Sequence, residues 1–191
     1  MNTYLILHGY QNHRPAGHWQ HWLAGQLAER GHEVRYPQLP EPDAPVLEEW
    51  LAALREHLGR SAGGGRPVVL AHSLSVLLWL RAAALAPDAV DVERVLLVAP
   101  PSPAVTASIP EIAAFADGLD LGVRLKAPTR LVYGDGDPYC PEGADGHYGV
   151  PLGLDSDRVP AGAHLNPDSG YGPWPAVLEW CEDPAVRLSA R

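Results

Sequence analysis

The sequence has 191 residues with 14 basic and 23 acidic side chains, a net charge of −9 with histidine neutral. Its single lysine, Lys126, leaves no basic stripe to neutralise a phosphate backbone, which argues against nucleic acid as a partner. At 46% hydrophobic residues, with 19 Gly and 20 Pro, the chain reads as a loop-rich globule, and a globule of this length buries roughly 70% of its unfolded surface, enough for one domain over 1–191.

Short apolar runs alternate with helical patterns, the signature of strand-helix-strand units around a parallel sheet. Strands are predicted at 3–7, 33–36, 67–71, 94–98, 129–133 and, with a weaker pattern, 155–159. Between the first two, Trp19, Trp22, Leu23 and Leu27 recur at helical spacing before Gly31. Val46, Leu47, Trp50, Leu51, Leu54 and Leu58 do the same before Gly59. The stretch 74–86 is apolar almost all round, which predicts the most buried helix, stopped by Pro87. Ser61 to Gly65 reads as a loop, and the interval from Ala99 to Pro128 holds one predicted helix near 110–117, with no room for a large cap domain. Pro173-Trp174-Pro175 suits the first turn of a closing helix at 174–182.

Two cysteines, Cys140 and Cys181, make neither a disulfide framework nor a four-cysteine zinc site. The opening Met1 to His8 lacks the charged start and long apolar stretch of a signal peptide, and Arg81 interrupts the longest apolar region, so no membrane span is expected. A cytoplasmic protein is the resulting expectation.

The chemistry centres on Pro67-Val68-Val69-Leu70-Ala71-His72-Ser73-Leu74-Ser75-Val76, a buried strand that runs directly into a buried helix with a hydroxyl at the turn. A nucleophile elbow has this layout, and it needs small residues two before and two after the serine because their backbones nearly touch. Ala71 and Ser75 meet the need around Ser73, whereas a nucleophile at Ser75 would put Leu77 in the crowded position. The competing reading is that Ser73 merely caps the following helix.

A hydroxyl nucleophile requires a base and a group that orients the base, arranged along parallel-sheet hydrolases in the order Ser, acid, His. Gly134-Asp135-Gly136-Asp137 follows the fifth strand and Gly162-Ala163-His164 follows the sixth, both at carboxyl ends where open sheets place their sites. Asp137, farther out on its loop, is preferred as the acid. Asp135 is assigned to the turn, and an ordinary Asp-Gly turn remains the alternative for both. A calcium loop is disfavoured because Tyr139 occupies a position that needs an oxygen ligand. His72 reads as a support of the elbow. The first strand ends in His8-Gly9-Tyr10, which offers the Tyr10 N–H as an oxyanion donor beside the Leu74 N–H, although a plain strand end accounts equally well for His8 and Gly9.

Taken together, these segments resemble the small alpha/beta-hydrolase family of retinoblastoma-binding protein 9 and the bacterial YdeN-type serine hydrolases. The resemblance runs through His8-Gly9-Tyr10, His18-Trp19, Trp22-Leu23, Pro37-Gln38-Leu39-Pro40, Trp50 and Ala71-His72-Ser73-Leu74. It continues through Asp137-Pro138-Tyr139-Cys140 and His164-Leu165-Asn166 to Ser169-Gly170-Tyr171-Gly172-Pro173-Trp174-Pro175. It implies a single-domain minimal alpha/beta-hydrolase fold with a mostly parallel sheet of about six strands, helices on both faces and no large cap domain. It also implies Ser73 as nucleophile, Asp137 as acid and His164 as base. Ala71, Ser75 and Ala163 stand where the family usually has glycine. The family's Leu-x-Cys-x-Glu partner motif is not matched by the spacing of Leu178 to Glu182, and no protein partner is carried over.

The expected function is a serine hydrolase cleaving a small ester, thioester or amide through an acyl-enzyme, without cofactor or metal. The alternative is a hydrolase-fold binding or regulatory protein with weak catalysis, motivated by the substituted glycines. A metal site from His8, His13, His18 and His21 lacks carboxylates and a HExxH pair. Gly63-Gly64-Gly65-Arg66-Pro67 precedes a strand and lacks the Lys-Ser/Thr of a phosphate loop. Of Trp19, Trp22, Tyr139, Tyr148, Tyr171 and Trp174, one or two should line a shallow pocket for small acyl groups, the others being core.

Overall fold

A computed structural model describes residues 1–59, 65–87 and 90–188. Most of the predicted Ser61 to Gly65 loop lies outside the described residues. Six strands, β1 (Thr3–Leu7), β2 (Glu33–Arg35), β3 (Val68–His72), β4 (Arg94–Val98), β5 (Thr129–Gly134) and β6 (Asp155–Val159), form one sheet in the order β2-β1-β3-β4-β5-β6. Every neighbouring pair is parallel. Non-consecutive neighbours require helical crossovers, and these cover both faces.

Alternation along the strands assigns the two cores. Leu5 and Leu7 of β1 and Val69 and Ala71 of β3 face a core with Trp50 and Leu54 of α2 (Leu47–Gly59), Leu77 and Leu80 of α3 (Leu74–Leu85), and Phe115. Tyr4, Ile6, Val68 and Leu70 face the opposite core, with Trp19, Leu23 and Leu27 of α1 (Trp19–Glu29) and Val177 and Trp180 of the closing helix. The period-2 pattern of buried strands thus sorts side chains between two helical layers. α3 is buried nearly all round, as its composition predicts, and ends at Leu85 just before Pro87.

Between β4 and β5 the structure differs from the expected single helix at 110–117. Two short helices occur, α4 (Pro103–Ser108) and α5 (Ala113–Ala116). Ser102 starts α4 by accepting the Val105 N–H at 3.2 Å, with Pro103 in the first turn. Between β5 and β6 an unpredicted π turn, Asp145–Gly149, runs into α6 (Val150–Leu152). The closing helix, α7 (Pro175–Glu182), begins one residue later than expected. No cap domain is inserted among the described residues, and no described helix is long and apolar enough to cross a membrane.

Candidate active site

Ser73 stands between β3 and α3 at φ 57° and ψ −126°, a left-handed conformation that costs a non-glycine residue of order 1–3 kcal/mol. Its hydroxyl makes no capping bond to the helix. The helix-cap reading therefore fails, because the hydroxyl is held elsewhere: His164 Nε2 lies 3.0 Å from Ser73 Oγ, and His164 Nδ1 lies 2.8 Å from Asp137 Oδ2. With Nδ1–H donating to the carboxylate, Nε2 is left as the acceptor for the serine hydroxyl. Asp137 is 4% exposed, and its Oδ1 accepts the Tyr139 N–H at 2.9 Å. Asp135 instead holds Arg158 of β6 at 2.6 and 2.9 Å and so clamps two strands.

The approach of these loops depends on two glycines. A Cβ at Gly9 would sit 2.7 Å from Ser73 Cβ, so the end of β1 touches the elbow. A Cβ at Gly134 would meet the Ala163 carbonyl oxygen at 2.4 Å, so the His164 loop passes directly over the end of β5. Ala163, Leu165 and Ala161 all have positive φ in that loop. The strain is held by bonds from both sides: the Ala163 N–H donates to the Asp135 carbonyl at 3.0 Å, and the Trp19 indole donates to the Leu165 carbonyl at 2.9 Å.

The His72 side chain makes its bond to the His164 loop and not to the elbow. Its Nε2 donates to the His164 carbonyl at 3.1 Å, and its ring lies 5.1 Å from the His164 ring. Burial, followed by the field of His164, holds the His72 imidazole well below the usual histidine range. It therefore stays neutral beside the His164 imidazole. The supporting roles of Trp19 and His72 are set by long-range contacts that no local pattern records.

Beside Ser73, Tyr10 and Leu74 line the cleft, and neither backbone N–H has a backbone partner outside helices and strands among the described residues. Leu74 opens α3, where the helix itself supplies no acceptor. The Gly9–Tyr10 peptide is fixed from its carbonyl side by His8, whose Nδ1 lies 2.8 Å from Gly9 O. His8 Nε2 accepts from the Leu39 N–H at 2.8 Å and the Gln38 amide at 2.9 Å. Burial holds this imidazole down to about 4, which keeps the neutral Nδ1–H form these bonds require.

The cleft over Ser73 has a volume of about 550 Å³, within the range of small-molecule sites. Its apolar wall comes from Pro101, Val105, Ile109 and Ile112 of the α4–α5 region, and Asn12, Asn166 and Asp168 lie on its polar side. Tyr139 is the one residue of the six expected aromatics that lines it, joined by Tyr10, while Trp19, Tyr148, Tyr171 and Trp174 are core. Of the four histidines weighed as a metal site, His8 and His18 bind backbone N–H groups, His13 pairs with Asp43 at 3.0 Å, and His21 reaches the Arg14 carbonyl at 3.3 Å. Cys140, Glu142 and His147 bring three potential ligand atoms within 4.8 Å of one another. Burial, then the Asp137 charge, pushes the Cys140 thiol up to about 12, which opposes the thiolate that a metal needs.

Comparison with solved structures shows the same fold at low identity. The ydeN gene product from B. subtilis superposes with a TM-score of 0.75 at 21% identity, covering 95% of this chain and 97% of that one. A YdeN-like hydrolase from Pectobacterium atrosepticum gives 0.76 at 20% identity, covering 95% and 90%. Est1E from Butyrivibrio proteoclasticus gives 0.67 at 16% identity, covering 95% and 87%. No curated protein matches the sequence. The serine hydrolase family model matches residues 4–182, nearly the whole chain, and the protein belongs to that family.

Proposed function

We propose that this serine hydrolase cleaves small esters, thioesters or amides by acyl transfer to Ser73. The observation that carries the reading is the continuous chain from Ser73 Oγ through His164 to Asp137, with both hydrogen-bond distances at 3.0 Å or less. His164 Nε2 takes the hydroxyl proton as Oγ bonds to the carbonyl carbon. The oxyanion then forms between the Tyr10 and Leu74 N–H groups. His164 returns the proton to the leaving group as its bond to carbon breaks. Water repeats the cycle: it gives a proton to His164, attacks the acyl carbon, and expels Ser73 Oγ, which takes the proton back. Asp137 orients the imidazole and stabilises its charged form. No step calls on a metal or cofactor.

The finer kinship, with the retinoblastoma-binding protein 9 branch as well as the YdeN branch, rests on the sequence segments quoted above. A small-molecule substrate fits the cleft, and the acidic charge balance disfavours nucleic acid. We place the protein in the cytoplasm, where its two free, buried cysteines would stay reduced.

The test is a fluorophosphonate probe with the adduct mapped by mass spectrometry, run alongside hydrolysis of short p-nitrophenyl esters. Wild type should label at Ser73. Ser73→Ala should lose labelling and more than about 10³-fold of the turnover without a change in Tm. A folded wild-type protein inert to both reagents would overturn the reading in favour of a binding module.

A further inference from the structure

Ser75 occupies a position that sequence reasoning treats only as a small residue tolerated at a crowded turn. The side chain is completely buried, and its hydroxyl donates to the carbonyl oxygen of His8 at the end of β1. Two consecutive peptides of the β1 loop are therefore held by their carbonyls. The His8–Gly9 peptide is held by Ser75, and the Gly9–Tyr10 peptide is held by the His8 imidazole at 2.8 Å. The second of these peptides carries the Tyr10 N–H. Ser75 also directly follows Leu74, the first residue of α3 and a lining residue of the cleft.

A single hydroxyl thus joins the strand that ends in one donor to the helix turn that begins with the other. β1 and β3 are already paired through Leu7 and Ala71, but that pairing stops before the loop turns at Gly9. The contact between Gly9 and Ser73 prevents the loop from moving inward, yet a steric contact places no limit on movement outward. A directed bond from Ser75 supplies that limit.

We propose that Ser75 is a positioning residue that sets the spacing between the Tyr10 and Leu74 oxyanion donors. This rests on the acyl-transfer reading above. The Ser75 hydroxyl itself touches no substrate. Its effect is transmitted through the His8 carbonyl, and it acts where negative charge develops. A donor placed too far from the oxyanion weakens transition-state binding and leaves ground-state binding largely unchanged.

The experiment compares wild type with Ser75→Ala, Ser75→Gly and Ser75→Thr, each normalised to the fraction of sites titrated by a fluorophosphonate. For a p-nitrophenyl ester, Ser75→Ala and Ser75→Gly should lower kcat about tenfold to a hundredfold with little change in KM. A boronic acid, which forms an anionic tetrahedral adduct on the serine, should lose affinity by a similar factor, while the carboxylate product should bind as before. Ser75→Thr, which keeps the hydroxyl, should recover much of both losses. The proposal is overturned if Ser75→Ala or Ser75→Gly folds with wild-type kcat and boronate affinity, or if KM and product binding suffer as much as kcat. If wild type is itself unreactive toward the probe and the ester, the acyl-transfer reading has failed and the positioning role fails with it.

Discussion

The two sides of the cleft are built differently. On the sheet side, His8, Asp137 and His164 are all buried at strand ends, and Gly9 and Gly134 leave no space for even one added carbon. On the opposite side, α4 and α5 are six and four residues long. Val105 and Ile109 there are only partly buried and face the cleft with apolar side chains. The first side holds its groups by close backbone approach and by hydrogen bonds. The second contributes apolar side chains and takes no part in the bonds that join Ser73, His164 and Asp137. Substitutions on the sheet side should therefore appear in kcat and stability, and those on the α4–α5 side in the choice of acyl group.

Asp137→Asn gives the largest expected effect. An amide at this position can present its N–H₂ to His164 Nδ1 and favour the wrong tautomer, which removes the acceptor at Nε2. A loss of kcat of about 10³–10⁴-fold is expected, with little change in KM. A loss below tenfold would mean that the buried carboxylate is structural. Gly9→Ala comes next. Its new methyl would meet Ser73 Cβ at 2.7 Å, so either the β1 loop or the elbow must shift. A loss of about 10²–10³-fold in kcat, comparable to loss of one oxyanion donor, is expected. Retention of full kcat would show that the loop has slack the geometry does not reveal.

Much of the sheet side is legible in the sequence because its causes are local. Five apolar runs and a weaker sixth set the strands, and an abrupt strand-to-helix change sets the elbow. The bonds that hold the site are less legible because they join residues far apart in the chain. Trp19 to Leu165 and His72 to His164 are examples. Ser75 is legible as a small residue, but its bond to His8 depends on the β1–β3 pairing. The α4–α5 side is the least legible. Ser102-Pro103 is a recognisable helix start, but six residues are too few for an apolar period, and the single helix expected at 110–117 is only α5. The π turn at Asp145–Gly149 has no apolar period either: its sequence is Asp-Gly-His-Tyr-Gly, and Tyr148 is fixed by a bond to the distant Pro101 carbonyl at 2.5 Å.

Acid stability tests the sheet side as a whole. Burial holds His8 and His18 down to about 4, against 6.5 for an exposed imidazole, and His72 is also depressed by burial. The unfolded chain therefore binds more protons than the folded one between pH 6.5 and 4. Stability should be full above pH 6.5 and fall as pH drops toward 4, by about 3 kcal/mol each for His8 and His18. Urea unfolding at pH 7.5, 6 and 5 measures the slope. His18→Asn can keep an acceptor for the Gln20 N–H at the start of α1 while removing one titrating group. It should flatten the acid limb, and an unchanged slope would locate the acid sensitivity elsewhere.

The smallest expected effect belongs to the α4–α5 side. An acyl chain leaving Ser73 toward Val105 and Ile109 covers apolar surface, and each methylene that becomes buried is worth about fourfold in kcat/KM. Wild type should therefore prefer p-nitrophenyl hexanoate to the acetate. Ile109→Ala removes part of the surface that the longer chain covers, so the hexanoate-to-acetate ratio should fall about threefold to tenfold. The rate of fluorophosphonate labelling should change much less than it does in Gly9→Ala. An unchanged ratio would place the acyl group elsewhere in the cleft. A fall in labelling equal to that of Gly9→Ala would show that the two sides are mechanically coupled, because a change confined to the apolar wall would then have reached the backbone beside Ser73.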